Sequence, residues 1–339
     1  MDSGPRAIAV IGTGSIGMRH LEVLRWMTNT RPIAVPKRRQ RLDALSQAGF
    51  ATAADLQEAV REGATLGIVA SETRQHVPDG LAASELGLDL LVEKPLASDA
   101  ASAGRLCDEA KARGRQVFVG CVLRFSESLH AFRQLLPQAG RIHAVRIECQ
   151  SYLPDWRPAR SYRESYSARA EDGGVLRDLI HEVDYAGWLF GWPLAVQASL
   201  RNLGRLGIEA EEAAELRWET PEGCSVSISL DYLTQPSRRR MRATGEHGTL
   251  KWDGIEGAVT WTAAKSAPQV IRASQARDEM FAAQAQSFIQ ACGGVVDPRL
   301  ATAEDGIKAL AVCDAARRSS VRRREERVEY PSLELVHTR

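Results

Sequence analysis

Three groups of residues combine types and spacing that chemistry can use. Glu93, Lys94 and Pro95 follow one another where the apolar run "DLLV" ends. A lysine there is either a solvated charge at a strand end or a cation placed to stabilise a developing negative charge. Asp178, His181 and Asp184 recur at steps of three within "GGVLRDLIHEVDYAG". On a helix that spacing sets them along one side. A histidine between two acids can be oriented and have its pKa raised, which suits proton transfer, although a core histidine is the plainer alternative. Gly12, Gly14 and Gly17, in "GTGSIG", lie between the apolar run Ala7 to Ile11 and a segment with Ile16, Leu21 and Leu24 on one side. Glycines so placed between a strand and a helix let a backbone turn approach a pyrophosphate, with Ser15 and Ile16 in the helical turn that favours the anion.

Two other chemistries are excluded. "HEVDY" carries Tyr185 where a zinc protease HExxH needs its second histidine, and no GxSxG nucleophile elbow is present. No metal ligand set is expected.

The elements that must position these residues change character along the chain. After the first strand, "RPIAVPKR", "ATLGIVASE", "LDLLVEKP" and "RQVFVGCVLRF" read as four more strands. Amphipathic segments such as "DLQEAVREG" and "DAASAGRLCDEAKARG" alternate with them. Such alternation predicts an α/β, doubly wound parallel sheet with right-handed crossovers. Ligands bind such sheets beyond the carboxyl ends of the strands. That rule puts Ser71 and Glu72 to His76, Glu93 to Pro95, and Arg124 with Phe125 around one cleft, and makes Ser71, His76, Glu93, Lys94 and Arg124 nucleotide-site candidates. After Phe125 the pattern becomes two-residue alternation: Val145, Ile147 and Cys149, then Val226, Ile228 and Leu230, with "MRATGEHGTLKWDG" as two strands around a turn. A mainly antiparallel sheet follows, one face covered by helices and the other mildly polar, suited to solvent or a subunit contact. Helices are expected near 278–292 and 302–318, the latter opening on a Thr302/Asp305 capping box. The basic "RRSSVRRREER" reads as a solvated helix end. The expected domains are 1–122 and 123–339.

At 339 residues, with 44% hydrophobic and 26% charged residues, the chain can hold two domains. A net charge of +1 provides no global field for nucleic acid or an anionic membrane. No apolar run approaches the ~18 residues of a membrane span, and "MDSGPRAIAV" lacks a signal-peptide pattern, so a cytoplasmic location is expected. The six cysteines, at 107, 121, 149, 224, 292 and 313, are scattered without CxxC, as in reduced proteins.

Taken together, "GTGSIGMRH", "EKP" at 93–95, "RF" at 124–125 and "GGVLRDLIHEVD" at 173–184 resemble the glucose–fructose oxidoreductase/inositol dehydrogenase family, Gfo/Idh/MocA. "TGEHGTL" and "TAEDGIKAL" are supporting echoes, so the resemblance covers nearly the whole chain. It implies an N-terminal Rossmann domain and a C-terminal α/β domain whose open sheet builds homodimers or homotetramers. It also implies NAD(P)-dependent redox chemistry at a carbinol or carbonyl carbon of a sugar, amino-sugar or cyclitol. Carried over, Lys94 stands beside the nicotinamide and the reacting oxygen, and Pro95, often cis in relatives, aims it. His181 transfers the proton, and Asp178 positions substrate or His181. Tyr162 and Tyr166 are further candidates for the substrate site. The chain departs from many relatives in spacing Asp178 and His181 three apart rather than four. It also has "ASETRQH" where many have a Thr-Pro pair, so Glu72 changes the lining on the adenosine side. "SYRESYSA" with the glycines after it is similar to a branch associated with bacterial surface-glycan and amino-sugar pathways.

Two alternatives use the same fold. A non-catalytic dinucleotide-binding regulator is expected to lose the lysine or the histidine, and both are present. Reduction of an imine or conjugated double bond is the other, against which retention of Lys94 and His181 favours the carbinol. As for the cofactor, NAD-preferring Rossmann domains carry an Asp or Glu at the end of the second strand, for the ribose 2′-hydroxyl. Residues 33–41, "IAVPKRRQR", contain none. Lys37, Arg38 and Arg39 would instead meet a 2′-phosphate, so NADP is expected over NAD.

Overall fold

The structure is a computed structural model and describes residues 4–158 and 160–331. Apolar runs and glycine turns fold the first part into β1 (Arg6–Ile11), α1 (Ser15–Trp26), β2 (Thr30–Val35), α2 (Leu42–Gln47), β3 (Ala51–Thr52) and α3 (Leu56–Arg61). β4 (Ala64–Val69), α4 (Thr73–Glu85), β5 (Asp89–Glu93), α5 (Ala100–Ala112) and β6 (Val117–Gly120) follow. The next part contains α6 (Glu127–Leu135), β7 (Ile142–Gln150), α7 (Val175–Asp178), α8 (His181–Phe190), β8 (Ala195–Arg201) and β9 (Ala213–Glu219). It continues through β10 (Ser225–Asp231), β11 (Arg238–Gly245), β12 (Gly248–Asp253), β13 (Ala258–Ala263) and β14 (Gln269–Arg272). Last come α9 (Arg277–Ala291), β15 (Ala301–Thr302), α10 (Ala303–Arg322) and β16 (Glu326–Arg327). Thr302 and Asp305 exchange the two reciprocal bonds of a capping box, at 2.9 and 3.2 Å. None of the described helices is long and apolar enough to cross a membrane.

Two compact units result. The first holds residues 4–122 and 276–307 and is built on a seven-stranded sheet in the order β15-β6-β5-β4-β1-β2-β3. β1 to β6 pair in parallel, and only β15 runs antiparallel, beside β6. Ile8, Ala9, Val10, Ile68, Leu90, Leu91 and Val92 have essentially no exposure, as central parallel strands covered on both faces require. The chain winds outward from β1 to β3, then returns to β4 on the other side of β1. That reversal opens a crevice at the carboxyl ends of β1 and β4.

Residues 276–307 interrupt the expected second domain, 123–339, because they pack with the first unit rather than the second. Phe281 shares a buried cluster with Val23 and Val122, and the rings of Phe288 and Phe118 meet edge-on at 6.0 Å. Periodicity identifies α9 as a helix but says nothing of which core receives its apolar side.

The second unit, residues 123–275 and 308–330, carries a nine-stranded sheet in the order β14-β13-β12-β11-β7-β10-β9-β8-β16. Its pairings are antiparallel except between β7 and β10, which run parallel. Val145, Ile147, Cys149, Val226, Ile228 and Leu230 are buried on one face, while the alternate residues remain partly exposed. All six cysteines are free thiols. Burial pushes Cys107, Cys149 and Cys313 up to about 12, so they stay protonated and inert. The basic tail ends α10, where Arg322 and Arg324 both bind Glu326.

Candidate active site

In the first unit the glycine loop joins β1 to α1. Gly12 has φ +88°, and a Cβ there would meet Ser71 Cα and N at 2.7 Å. A Cβ on Gly17 would lie 1.9 Å from the Gly12 carbonyl oxygen, so only glycine lets α1 pack down on the turn. Gly14 differs: nothing lies within 4 Å of the place its Cβ would occupy. It is the N-cap of α1 and makes no side-chain cap bond, leaving the first-turn amides of Ser15 and Ile16 without a capping acceptor. The loop is anchored from behind by Arg41, whose guanidinium donates to the Thr13 carbonyl.

Around the same strand ends, Ser71 follows β4 with a buried Oγ that has no protein partner. His76, on α4, sets Nδ1 2.8 Å from the Pro95 carbonyl and Nε2 3.1 Å from the Ser71 carbonyl. It thereby ties the turn after β4 to the turn after β5. A neutral imidazole can donate to only one of the two, and burial lowers the His76 pKa from the ordinary 6.5.

Lys94 is half-buried directly after β5, and its peptide bond to Pro95 is cis. Glu93 holds the lysine backbone in place. Its carboxylate lies 2.7 Å from His20 Nε2 on α1 and accepts from the Lys94 N–H at 3.3 Å. Gly120 makes room for that carboxylate, since a Cβ there would come within 3.0 Å of it. Glu93, expected from the sequence among the cofactor contacts, is buried and supports the lysine backbone. His20, though part of the glycine motif, gave no sign of this role.

At the end of β2, Arg38 and Arg39 are exposed and make no side-chain hydrogen bond among the described residues. Lys37 is not open in the same way, because its Nζ lies 2.6 Å from Asp79 Oδ1 on α4. Sequence reading missed Asp79, a carboxylate 42 positions away.

The second unit contains the histidine group. In place of one helix carrying Asp178, His181 and Asp184 along one side there are two, α7 and α8, with Leu179 and Ile180 between them. Asp178 therefore ends one helix and His181 begins the next, so the one-sided helical stripe does not form. The glycines before α7 are required by space. A Cβ on Gly173 would sit 2.1 Å from the Tyr166 carbonyl, and one on Gly174, which has φ +93°, would lie 2.3 Å from the Glu211 carboxylate.

Asp178, His181 and Asp184 are all buried. Asp178 Oδ2 accepts from the Tyr232 hydroxyl at 2.6 Å. Tyr166 stands beside the same carboxylate, whose charge, together with burial, holds its phenol above the ordinary range. Tyr166 is thus kept as a donor, unsuited to act as a base near neutral pH. The Tyr162 hydroxyl donates to the Leu206 carbonyl at 3.0 Å. Asp184 grips Arg124 through both oxygens, at 2.7 and 3.0 Å. Arg124, expected among the cofactor contacts, is 1% exposed and is held by this carboxylate. Glu182 is also fully buried and fastens α8 to β11 through Arg239 at 2.9 Å.

Comparison with known proteins agrees with these two constructions. Residues 6–121 match the family description "Oxidoreductase family, NAD-binding Rossmann fold", and residues 137–251 match "GFO/IDH/MocA C-terminal domain". The chain belongs to the Gfo/Idh/MocA family of oxidoreductases. Myo-inositol dehydrogenase Hyg17 of Streptomyces leeuwenhoekii is 27% identical to it, over 92% of this chain and 97% of that one. Rhizopine catabolism protein MocA of Rhizobium meliloti is 24% identical, over 91% and 93%. Levoglucosan dehydrogenase in complex with NADH and L-sorbose shares the fold at a TM-score of 0.85 with 17% identity, over 96% of this chain and 100% of that one. The WlbA dehydrogenase from Bordetella pertussis, in complex with NADH and UDP-GlcNAcA, gives 0.83 and 20%, over 97% and 99%.

The residues present fit the dinucleotide that a Gfo/Idh/MocA Rossmann domain binds. Gly14 leaves open backbone where a pyrophosphate would lie, the first turn of α1 offers uncapped amides, and Ser71 Oγ has a hydrogen bond to give. Tyr232 and Asp79 are the polar residues that sequence reasoning passed over. Nothing local in the sequence marks either as a partner of a distant charge.

Proposed function

We propose that this member of the Gfo/Idh/MocA family is an NADP-preferring oxidoreductase, acting on a carbinol or carbonyl carbon of a sugar, amino-sugar or cyclitol. The observation that carries the reaction type is the half-buried Lys94, held after β5 by the Glu93–His20 arrangement beside a glycine loop built for a dinucleotide. When bound, the nicotinamide supplies or takes up the hydride. Lys94 provides the cation that stabilises an alkoxide as the hydroxyl loses its proton. His181 takes that proton, and Asp178, held by Tyr232, positions the histidine or the substrate. Relatives named for myo-inositol and levoglucosan support a polyhydroxylated substrate. The mildly polar face of the second sheet supports assembly into homodimers or homotetramers, and the composition supports a cytoplasmic location.

The NADP preference rests on the end of β2. No carboxylate occurs in residues 33–41, and the exposed Arg38 and Arg39 can grip a 2′-phosphate through paired hydrogen bonds. Arg38 is the chief contact, with Arg39 assisting. The test combines a panel of sugars, cyclitols and nucleotide-sugars, read by nicotinamide absorbance, with dissociation constants for NADP and NAD in wild type and Arg38→Ala. Tighter NADP binding that Arg38→Ala abolishes is expected. Equal or tighter NAD binding by the wild type overturns the preference.

A further inference from the structure

We infer that Asp79 sets how strongly this enzyme discriminates between the two dinucleotides, by holding Lys37 away from the 2′-phosphate; this rests on the proposed use of the β2 end for that phosphate. Lys37 is the first of the three cations there, and its Nζ lies 2.6 Å from Asp79 Oδ1. The two sides of the pair differ. The Lys37 side chain is 47% exposed, while that of Asp79 is 8% exposed. The remaining oxygen of Asp79 is buried and has no hydrogen-bond partner. Lys37 is therefore the principal compensation for a carboxylate that water scarcely reaches.

A 2′-phosphate arriving at Arg38 and Arg39 brings two negative charges near this pair. If Lys37 swings to the phosphate, Asp79 is left buried without a counter-ion, which is costly. If Lys37 stays with Asp79, its charge is neutralised there and is not available to the phosphate. Either way the carboxylate weakens the phosphate while leaving a ribose hydroxyl almost unaffected. Asp79 thus stands in for the acid that is missing from the end of β2. It contributes from α4, acting through Lys37 as a positioning residue.

The experiment measures dissociation constants for NADP and NAD by fluorescence titration in Asp79→Asn, Lys37→Gln and the double variant, with thermal melting of each. Asparagine keeps the shape and an acceptor oxygen and removes the charge. Asp79→Asn is expected to tighten NADP by roughly threefold to fivefold, the size of a partly exposed ion pair, with NAD changed by less than about twofold. In the Lys37→Gln background the same change should leave the NADP to NAD ratio where it was. An equal effect of Asp79→Asn on both dinucleotides, or a ratio change that persists without Lys37, overturns the role of Asp79. Should Asp79→Asn melt too low to titrate, Lys37→Arg provides the second arm. Its longer fork can bind Asp79 and phosphate together and should raise NADP affinity; an unchanged ratio there overturns the inference. The parent reading fails separately, through tight NAD binding by the wild type.

Discussion

Replacing His20 by alanine tests whether the glycine helix and Lys94, the lysine proposed to act in catalysis, are joined through Glu93. The imidazole is 1% exposed and the Glu93 side chain 7%, and their 2.7 Å bond lies out of reach of water. A hydrogen bond to a buried carboxylate contributes about 1.5–3 kcal/mol. The ring also packs edge-on against Phe281, with centroids 5.3 Å apart, and its removal leaves a cavity costing about 2 kcal/mol or more. The sum is roughly 4 kcal/mol for the first unit, or about 8–16 °C in its melting transition at some 2–4 °C per kcal/mol. Differential scanning calorimetry, with and without saturating NADP, reads this directly. Turnover at saturating cofactor should fall as well, because Glu93 is left with the Lys94 N–H as its protein contact named above. His20→Asn, which can return one N–H toward Glu93, should recover part of both losses. A His20→Ala protein that melts within about 3 °C of wild type would refute the reasoning, since water would then be replacing a bond judged inaccessible to it.

Lys94→Met should keep dinucleotide binding nearly intact while turnover drops by ~10² or more, as for a charge that acts in the transition state; near-normal turnover would return Lys94 to a solvated strand end. For His76, burial holds the folded-state pKa below 6.5 while the unfolded chain protonates near that value. Its contribution to stability is complete above 6.5 and is lost as pH falls from 6.5 through the lower folded value. Melting curves at about pH 7.5 and about pH 5.5 should show a smaller acid-induced drop in His76→Gln than in wild type, and an identical drop would remove His76 from the acid sensitivity.

What the sequence determined by itself is short-range. The strand–glycine–helix start, the parallel alternation up to residue 120 and the two-residue alternation of β7 and β10 all follow from periodicity and turn chemistry, which act over a few residues. The need for glycine at Gly12 and Gly17 was equally plain, because a pyrophosphate turn has a local signature. Tertiary structure decided which charges remain available. Lys37 with Asp79 are 42 positions apart, Asp178 with Tyr232 are 54 apart, and Arg124 with Asp184 are 60 apart. No local pattern links such residues, and burial then fixes whether each pair is support or chemistry. The same holds for the break between α7 and α8, where apolar periodicity runs on unbroken through Leu179 and Ile180 while the helix does not. It holds too for α9, whose amphipathic face fits either core until the chain has chosen one.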